Sequence, residues 1–297
     1  MRIAASLVVG AIAWATPAVA EPLTLAPFKD ELFAYPKILD QSDGGDVLLV
    51  EYDQKRDLDQ RDITRRLKVD PKYVSLETQA VEQDLVIRNG RRRVRHVAVG
   101  NTGPGASAIV IFLHGRGADR KAGANDWIHG GNFNRLKNLM MRSGGLYLSP
   151  DFADFGRRGA SDIKTLLLHY ANQSPGAPVV LGCASWGGRV CWRLMNDPEV
   201  TSRITGLVFL DSATDRDFLS KLAALPHDSR PAIHISNTRA DRLMGYKSQL
   251  DFYRRLKAAA SDYPIRVVNF SSGTHGISLR MTDWRQVLNW MFASKTG

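Results

Sequence analysis

The run Val179-Val180-Leu181-Gly182-Cys183-Ala184-Ser185-Trp186-Gly187-Gly188 carries an apolar strand into a serine among mostly small residues, and helical composition begins at once with Arg189-Val190-Cys191-Trp192. A sharp strand-to-helix turn of this kind holds a hydroxyl clear of a sheet and points a helix N-terminus at it, and small neighbours let backbone segments approach. A serine hydroxyl is a poor nucleophile until an imidazole takes its proton. The imidazole in turn needs a carboxylate to fix its tautomer and stabilise its cation. His275 is the candidate base, placed by Ser271-Ser272-Gly273-Thr274-His275-Gly276 in a glycine-bounded loop after the apolar run Ile265 to Phe270. Candidate acids follow two other apolar runs: Asp211 and Asp215 come after Leu210, and Asp241 follows Ala232 to Ile235.

These residues must be presented by a sheet. Short apolar runs at Ala108 to Leu113, Gly145 to Ser149, Pro178 to Leu181, Gly206 to Leu210, Ala232 to Ile235 and Ile265 to Phe270 are too short for helices and do not strictly alternate. They suit strands buried on both faces. Between them lie stretches of helical composition, including Ile163 to Tyr170, Arg189 to Asn196, Phe218 to Ala224 and Lys247 to Ala260. Strand and helix in alternation mean an α/β domain with a mostly parallel central sheet, helices on both faces and a site at the carboxyl ends of the strands. Leu85 to Ile87, the pair Asn89-Gly90 and Val94 to Val99 predict a hairpin ahead of it, with Arg91, Arg92, Arg93 and Arg95 on a solvated face.

The serine turn resembles the elbow of the α/β-hydrolase superfamily, which reads G-x-S-x-G, except that Cys183 replaces the first glycine. Its thiol must find a pocket, or the turn must open. The superfamily's chain order of serine, acid and histidine favours Asp241, because Ser236-Asn237-Thr238-Arg239-Ala240-Asp241 resembles its acid-bearing turn; Asp211 and Asp215 remain alternatives. His114-Gly115-Arg116-Gly117 after Ile109 to Leu113 looks like the family's H-G-x-G turn. By that match the N–H groups of Arg116 and Trp186 bind the oxyanion and His114 is structural. The resemblance covers roughly residues 82 to 295 and implies a serine esterase of the carboxylesterase or dienelactone-hydrolase style, with no cofactor. The span from Leu210 to Ala232 leaves little room for a lid. Residues 118 to 133, with Asn125, Trp127 and Asn132, are expected to border the substrate pocket.

Other features bound the function. Residues 1 to 20 have one charge, Arg2, an apolar run from Ile3 to Ala15 and Ala18-Val19-Ala20, the pattern of a secretory signal, so a periplasmic or secreted protein is expected. Residues 21 to 81 form an extension packed on a catalytic domain at 82 to 297; it is densely charged from Glu51 to Lys72, with one clear strand at Val47 to Val50. Cys183 and Cys191 are expected to be free, buried thiols. Without Arg2 the chain has 39 basic and 30 acidic residues, a net charge of +9. That suits anionic surroundings such as envelope polymers, charged lipids or nucleic acid, and charge alone does not choose among them; an anionic envelope surface is the partner expected, with no nucleic acid and no membrane span after signal cleavage. Gly115-Arg116-Gly117 lacks the further glycine or lysine of a nucleotide loop, and His96, His129, His169 and His227 have no metal-ligand spacing. His234 reads as a satisfied core residue, and Trp192, Trp284 and Trp290 as core. Hydrolysis of a small or lipid-like carboxylic ester, or of a thioester, is the leading function. Acyl transfer by the same residues and a non-catalytic module binding anionic polymers are the alternatives.

Overall fold

A computed structural model describes residues 21–65 and 67–294; the signal-like segment lies outside them. The strands are β1 (Ile38–Ser42), β2 (Val47–Val50), β3 (Asp62–Thr64), β4 (Lys68–Val69), β5 (Glu82–Asn89), β6 (Arg92–Gly100), β7 (Ile109–Leu113), β8 (Leu146–Pro150), β9 (Val179–Ala184), β10 (Ile204–Leu210), β11 (Ala232–Thr238) and β12 (Ile265–Phe270). Among the described residues, ten of them form one sheet in the order β1-β2-β12-β11-β10-β9-β7-β8-β6-β5, while β3 and β4 form a separate small ladder. Every pair from β2 through β8 in that order is parallel, and the edge pairs β1–β2, β6–β8 and β5–β6 are antiparallel.

The continuous apolar runs are explained by burial on both sides. Ile109, Ile111, Leu113, Leu181, Cys183, Leu207 and Phe209 face one core with the helices Arg157–Gln173, Gly187–Leu194 and Tyr246–Ala259. Val110, Phe112, Val180, Ala184, Val208 and Leu210 face the other with Asn132–Arg142 and Trp284–Ala293. A central strand with no solvated face cannot alternate apolar with polar. The Asn89-Gly90 hairpin forms as expected, joining β5 to β6 with Gly90 at φ +60°.

Two expectations are corrected. Cys183 and Cys191 are joined in a disulfide with Cα atoms 6.4 Å apart. The helix Gly187–Leu194 starts two residues after Ser185 and folds back over the face to which Cys183 points. Six helical residues retreat roughly 9 Å from the turn and two strand residues about 7 Å, so the two side chains come level. This also explains the residue that replaces the first glycine of the elbow: its sulfur goes into the bridge. The extension, in turn, is more than a layer laid on the domain. Its β2 pairs in parallel with β12 and β1 closes that edge. No described helix is long and apolar enough to cross a membrane.

Candidate active site

Ser185 sits at the end of β9 with φ +48°, in the left-handed region that a side chain rarely occupies. The turn is braced on both sides: Ser185 N donates to Leu210 O at 3.0 Å, and Ser212 Oγ donates to Ser185 O at 2.7 Å. A Cβ at Gly187 would strike the backbone carbonyl of Leu113, so that position tolerates no side chain, and one at Gly188 would displace the Ser212 hydroxyl that braces the turn. A Cβ at Gly115 would stand 3.1 Å from that of Ser185, so the H-G-x-G turn lies directly against the serine.

His275 Nε2 lies 3.0 Å from Ser185 Oγ, and its Nδ1 lies 2.8 Å from Asp241 Oδ2. A carboxylate only accepts, so Nδ1 carries the proton and Nε2 keeps its lone pair toward the hydroxyl. The other Asp241 oxygen, Oδ1, accepts from the amides of Leu243 at 2.7 Å and Met244 at 3.1 Å, which leaves Oδ2 aimed at the imidazole. The Asp241 side chain is fully buried while that of His275 is 25% exposed, so the relay opens to solvent at the histidine and serine end.

Asp211 does not touch the imidazole through a hydrogen bond. At φ +45° on the end of β10, its Oδ2 accepts from Gly276 N at 2.8 Å and Ser278 N at 3.1 Å, and its Oδ1 accepts from Ser278 Oγ at 2.8 Å. It anchors the segment immediately after His275. Burial pushes its carboxyl up to about 6, against the pull of the Ser278 hydrogen bond and the His275 charge. Asp215 caps the turn Arg216–Phe218 by accepting from Asp217 N.

Side chains that no motif marks hold the histidine loop. Thr238 Oγ1 donates to Ser272 O at 2.6 Å, and Ser272 Oγ donates to Tyr52 O at 2.9 Å. Tyr52 N donates to Ser271 Oγ at 3.0 Å, and the Tyr52 ring packs so close to Gly273, at φ +98°, that a Cβ there would stand 3.0 Å from it. Tyr52 belongs to the charged extension, so only the fold reveals its role. The serine-rich run before His275 is the one hint in the sequence.

The indole of Trp186 has the Arg116 guanidinium 5.4 Å and the Arg189 guanidinium 4.9 Å from its ring centre. No described residue accepts a hydrogen bond from the amide of either Arg116 or Trp186. His114 Nδ1 lies 2.9 Å from Gly115 O, and its ring stacks on Phe152 at 4.4 Å, a structural placement. Within residues 118 to 133, polar groups of Asn125, Trp127 and Asn132 are bonded inside the protein. Asn125 Oδ1 accepts from Trp127 N, Trp127 O accepts from Val69 N, and Asn132 Nδ2 donates to Leu279 O and Thr282 O. They tie the loop to the extension and to the segment after His275. His234 is buried as expected, but it is not satisfied: its Nε2 has no hydrogen-bond partner among the described residues, and burial pushes the ring down to about 3. Trp192 and Trp284 are core, whereas Trp290 is half-buried under the Arg266 guanidinium at 4.6 Å.

Residues 110–295 match the model of the alpha/beta hydrolase family. Similar folds include an esterase of Pyrococcus furiosus, Pf2001, with TM-score 0.53 and 16% identity over 75% of this chain and 96% of that one. A lidless α/β serine hydrolase of Xanthomonas campestris, XC6422, gives TM-score 0.50 and 15% identity over 70% and 92% of the two chains. A thermostable esterase gives 0.53 and 14% over 72% and 63%. No curated protein matches the sequence.

Proposed function

The chain belongs to the alpha/beta hydrolase family, and from that premise we propose that it is a serine hydrolase cleaving carboxylic esters, with Ser185 as nucleophile, His275 as base and Asp241 as acid. The hydrogen-bonded line from Ser185 Oγ through His275 to Asp241, at 3.0 and 2.8 Å, carries this reading. In the first step Oγ attacks the ester carbonyl while Nε2 takes its proton, and Asp241 stabilises the imidazolium. The N–H groups of Arg116 and Trp186 are the donors for the tetrahedral oxyanion, free because no acceptor among the described residues uses them. The imidazolium then protonates the departing alcohol, leaving an acyl-Ser185. Water, deprotonated by the same nitrogen, attacks the acyl group; the acid leaves and Ser185 recovers its proton. The relatives' esterase chemistry supports an ester over a thioester.

We also read the protein as exported, to a periplasm or the exterior. The signal-like residues 1 to 20 support this, and so does the Cys183–Cys191 bridge, since such bonds persist in oxidising compartments. The test of the chemistry is the intact mass of the protein after a fluorophosphonate. One adduct on the wild type that is lost in Ser185→Ala and His275→Ala is expected. No adduct on folded wild type would reject the nucleophile and leave a binding module as the better account.

A further inference from the structure

About half of the described arginines ion-pair with a carboxylate, among them Arg158 with Asp154, Arg216 with Asp251, and Arg120 with Asp84 and Asp151. Arg116 and Arg189 do not. Both are exposed, and neither has an ion pair or side-chain hydrogen bond among the described residues. They come from different elements, the turn after β7 and the helix after Ser185, yet both settle on the ring of Trp186, which puts them no more than about 10 Å apart. Contact with a π face leaves the in-plane N–H edges of a guanidinium unbonded, and that edge is the fork that grips a carboxylate or phosphate. None of Asp119, Asp154 and Asp215 pairs with either guanidinium: Asp119 caps Lys121 N, Asp154 holds Gly156 N, Gly159 N and Arg158, and Asp215 caps Asp217 N. Across the relay, Arg239 and Arg242 flank Asp241, exposed and likewise without an ion pair among the described residues.

An apolar path leads along the same wall. Phe155 meets Trp186 edge-on at 5.9 Å, Phe152 meets Phe155 at 5.5 Å, and both are only partly buried. A chain of methylenes or an aryl group fits against these rings, with its charge at the guanidinium edge.

We propose that Arg116 and Arg189, seated on Trp186 beside the nucleophile, form an anion-binding subsite, so that the esters cleaved here carry an ionised carboxylate or phosphate a few bonds from the scissile carbonyl. This rests on the serine-hydrolase reading for its chemistry, but the subsite can be measured without turnover. Full-length mature Ser185→Ala protein is titrated calorimetrically with the aryl half-ester of adipic acid and with the same molecule methyl-capped. A chain-matched phosphate-bearing ester distinguishes the two anions. The charged ester is expected to bind at least tenfold tighter, with the advantage shrinking in 0.5 M salt. Arg189→Gln in the same background removes most of that advantage, while Arg189→Lys, which keeps the charge but not the fork, retains part of it. In the active protein, the ratio of kcat/KM for charged over capped ester falls about tenfold in Arg189→Gln. Equal binding of the two esters by Ser185→Ala, or a preference unmoved by Arg189→Gln, would overturn the subsite. Loss of fluorophosphonate labelling would instead overturn the nucleophile and leave the calorimetric result standing.

Discussion

Asp211 and Asp241 end neighbouring strands and both attend the His275 loop, but they hold different parts of it. Asp241 faces the imidazole Nδ1, whereas Asp211 grips the backbone of Gly276 and Ser278. Asp241→Asn presents an amide where only an acceptor keeps the right tautomer, so kcat is expected to fall about 10⁴-fold. Asp211→Asn can still accept from the two amides through its oxygen and donate to Ser278 Oγ, so its kcat is expected to stay within about tenfold of wild type. Steady-state kinetics on both variants decide the matter, and a larger loss at Asp211 would transfer the acid role to it. The same residue predicts a pH dependence of stability. Its ordinary value is 3.8, and burial raises it to about 6, so between those values the folded protein retains a proton that the unfolded chain has released. Stability from this source is full below about 4 and is lost as pH rises through about 6. The stability of wild type relative to Asp211→Asn should therefore decline from pH 4 to 6.5; thermal melts in which it stays flat or rises would contradict the buried-acid account.

At the scale of elements, the bridge between Cys183 and Cys191 joins the strand that leads into Ser185 to the helix that follows it. It closes a loop of about nine residues, for which chain entropy gives roughly 2.5 kcal/mol. Cys183→Ala/Cys191→Ala is expected to lose about that much in urea titration and to label more slowly with fluorophosphonate, because the backbone at φ +48° is then less tightly held. Unchanged stability would mean the bridge adds nothing to the turn. The turn between the two cysteines is legible in the sequence, but how closely the helix folds back over the strand is not, and the bond depends on that. By contrast, β12 is legible to the residue, Ile265 to Phe270, and β9 falls short only at its end, where Gly182 to Ala184 are small rather than apolar. The helix Asn132–Arg142 escapes a hydrophobic reading for a clear reason. Its buried face carries Asn132, Arg135, Lys137 and Asn138, each with a partner far away in sequence: Thr282, Asp283, Glu82 and Ser75 in turn. The triad candidates are readable because each follows a strand end. Tyr52 and Thr238 are not, since backbone-directed hydrogen bonds leave no motif.

Those distant partners define the molecule as a whole. Buried cations of the hydrolase core pair with acids of the extension or near its end: Arg135 with Asp30, Lys137 with Glu82 and Arg280 with Asp62. Arg61 of the extension reaches back to the carbonyl of Gly130 and lies on the rings of Phe33 and Tyr73. Burial with a like-charged Arg280 nearby pushes its guanidinium down to about 10, still protonated at neutral pH. Arg280 lies in the short helix Ile277–Met281 that follows His275. The extension therefore braces the segment after the histidine through Asp62, just as Tyr52 braces the loop before it. Removing one partner of a buried pair strands the other charge, so Asp62→Ala is expected to lower stability by about 3–5 kcal/mol, whereas exchanging both for apolar residues in Asp62→Leu/Arg280→Met should cost much less. Both variants should unfold in one transition, because β2 lies in the same sheet as β9, the strand that leads into Ser185. A second, earlier transition seen by tryptophan fluorescence or circular dichroism in Asp62→Ala would show that the extension can detach from a core that stands without it. Activity surviving past that first step would then mean that the histidine loop does not depend on its brace.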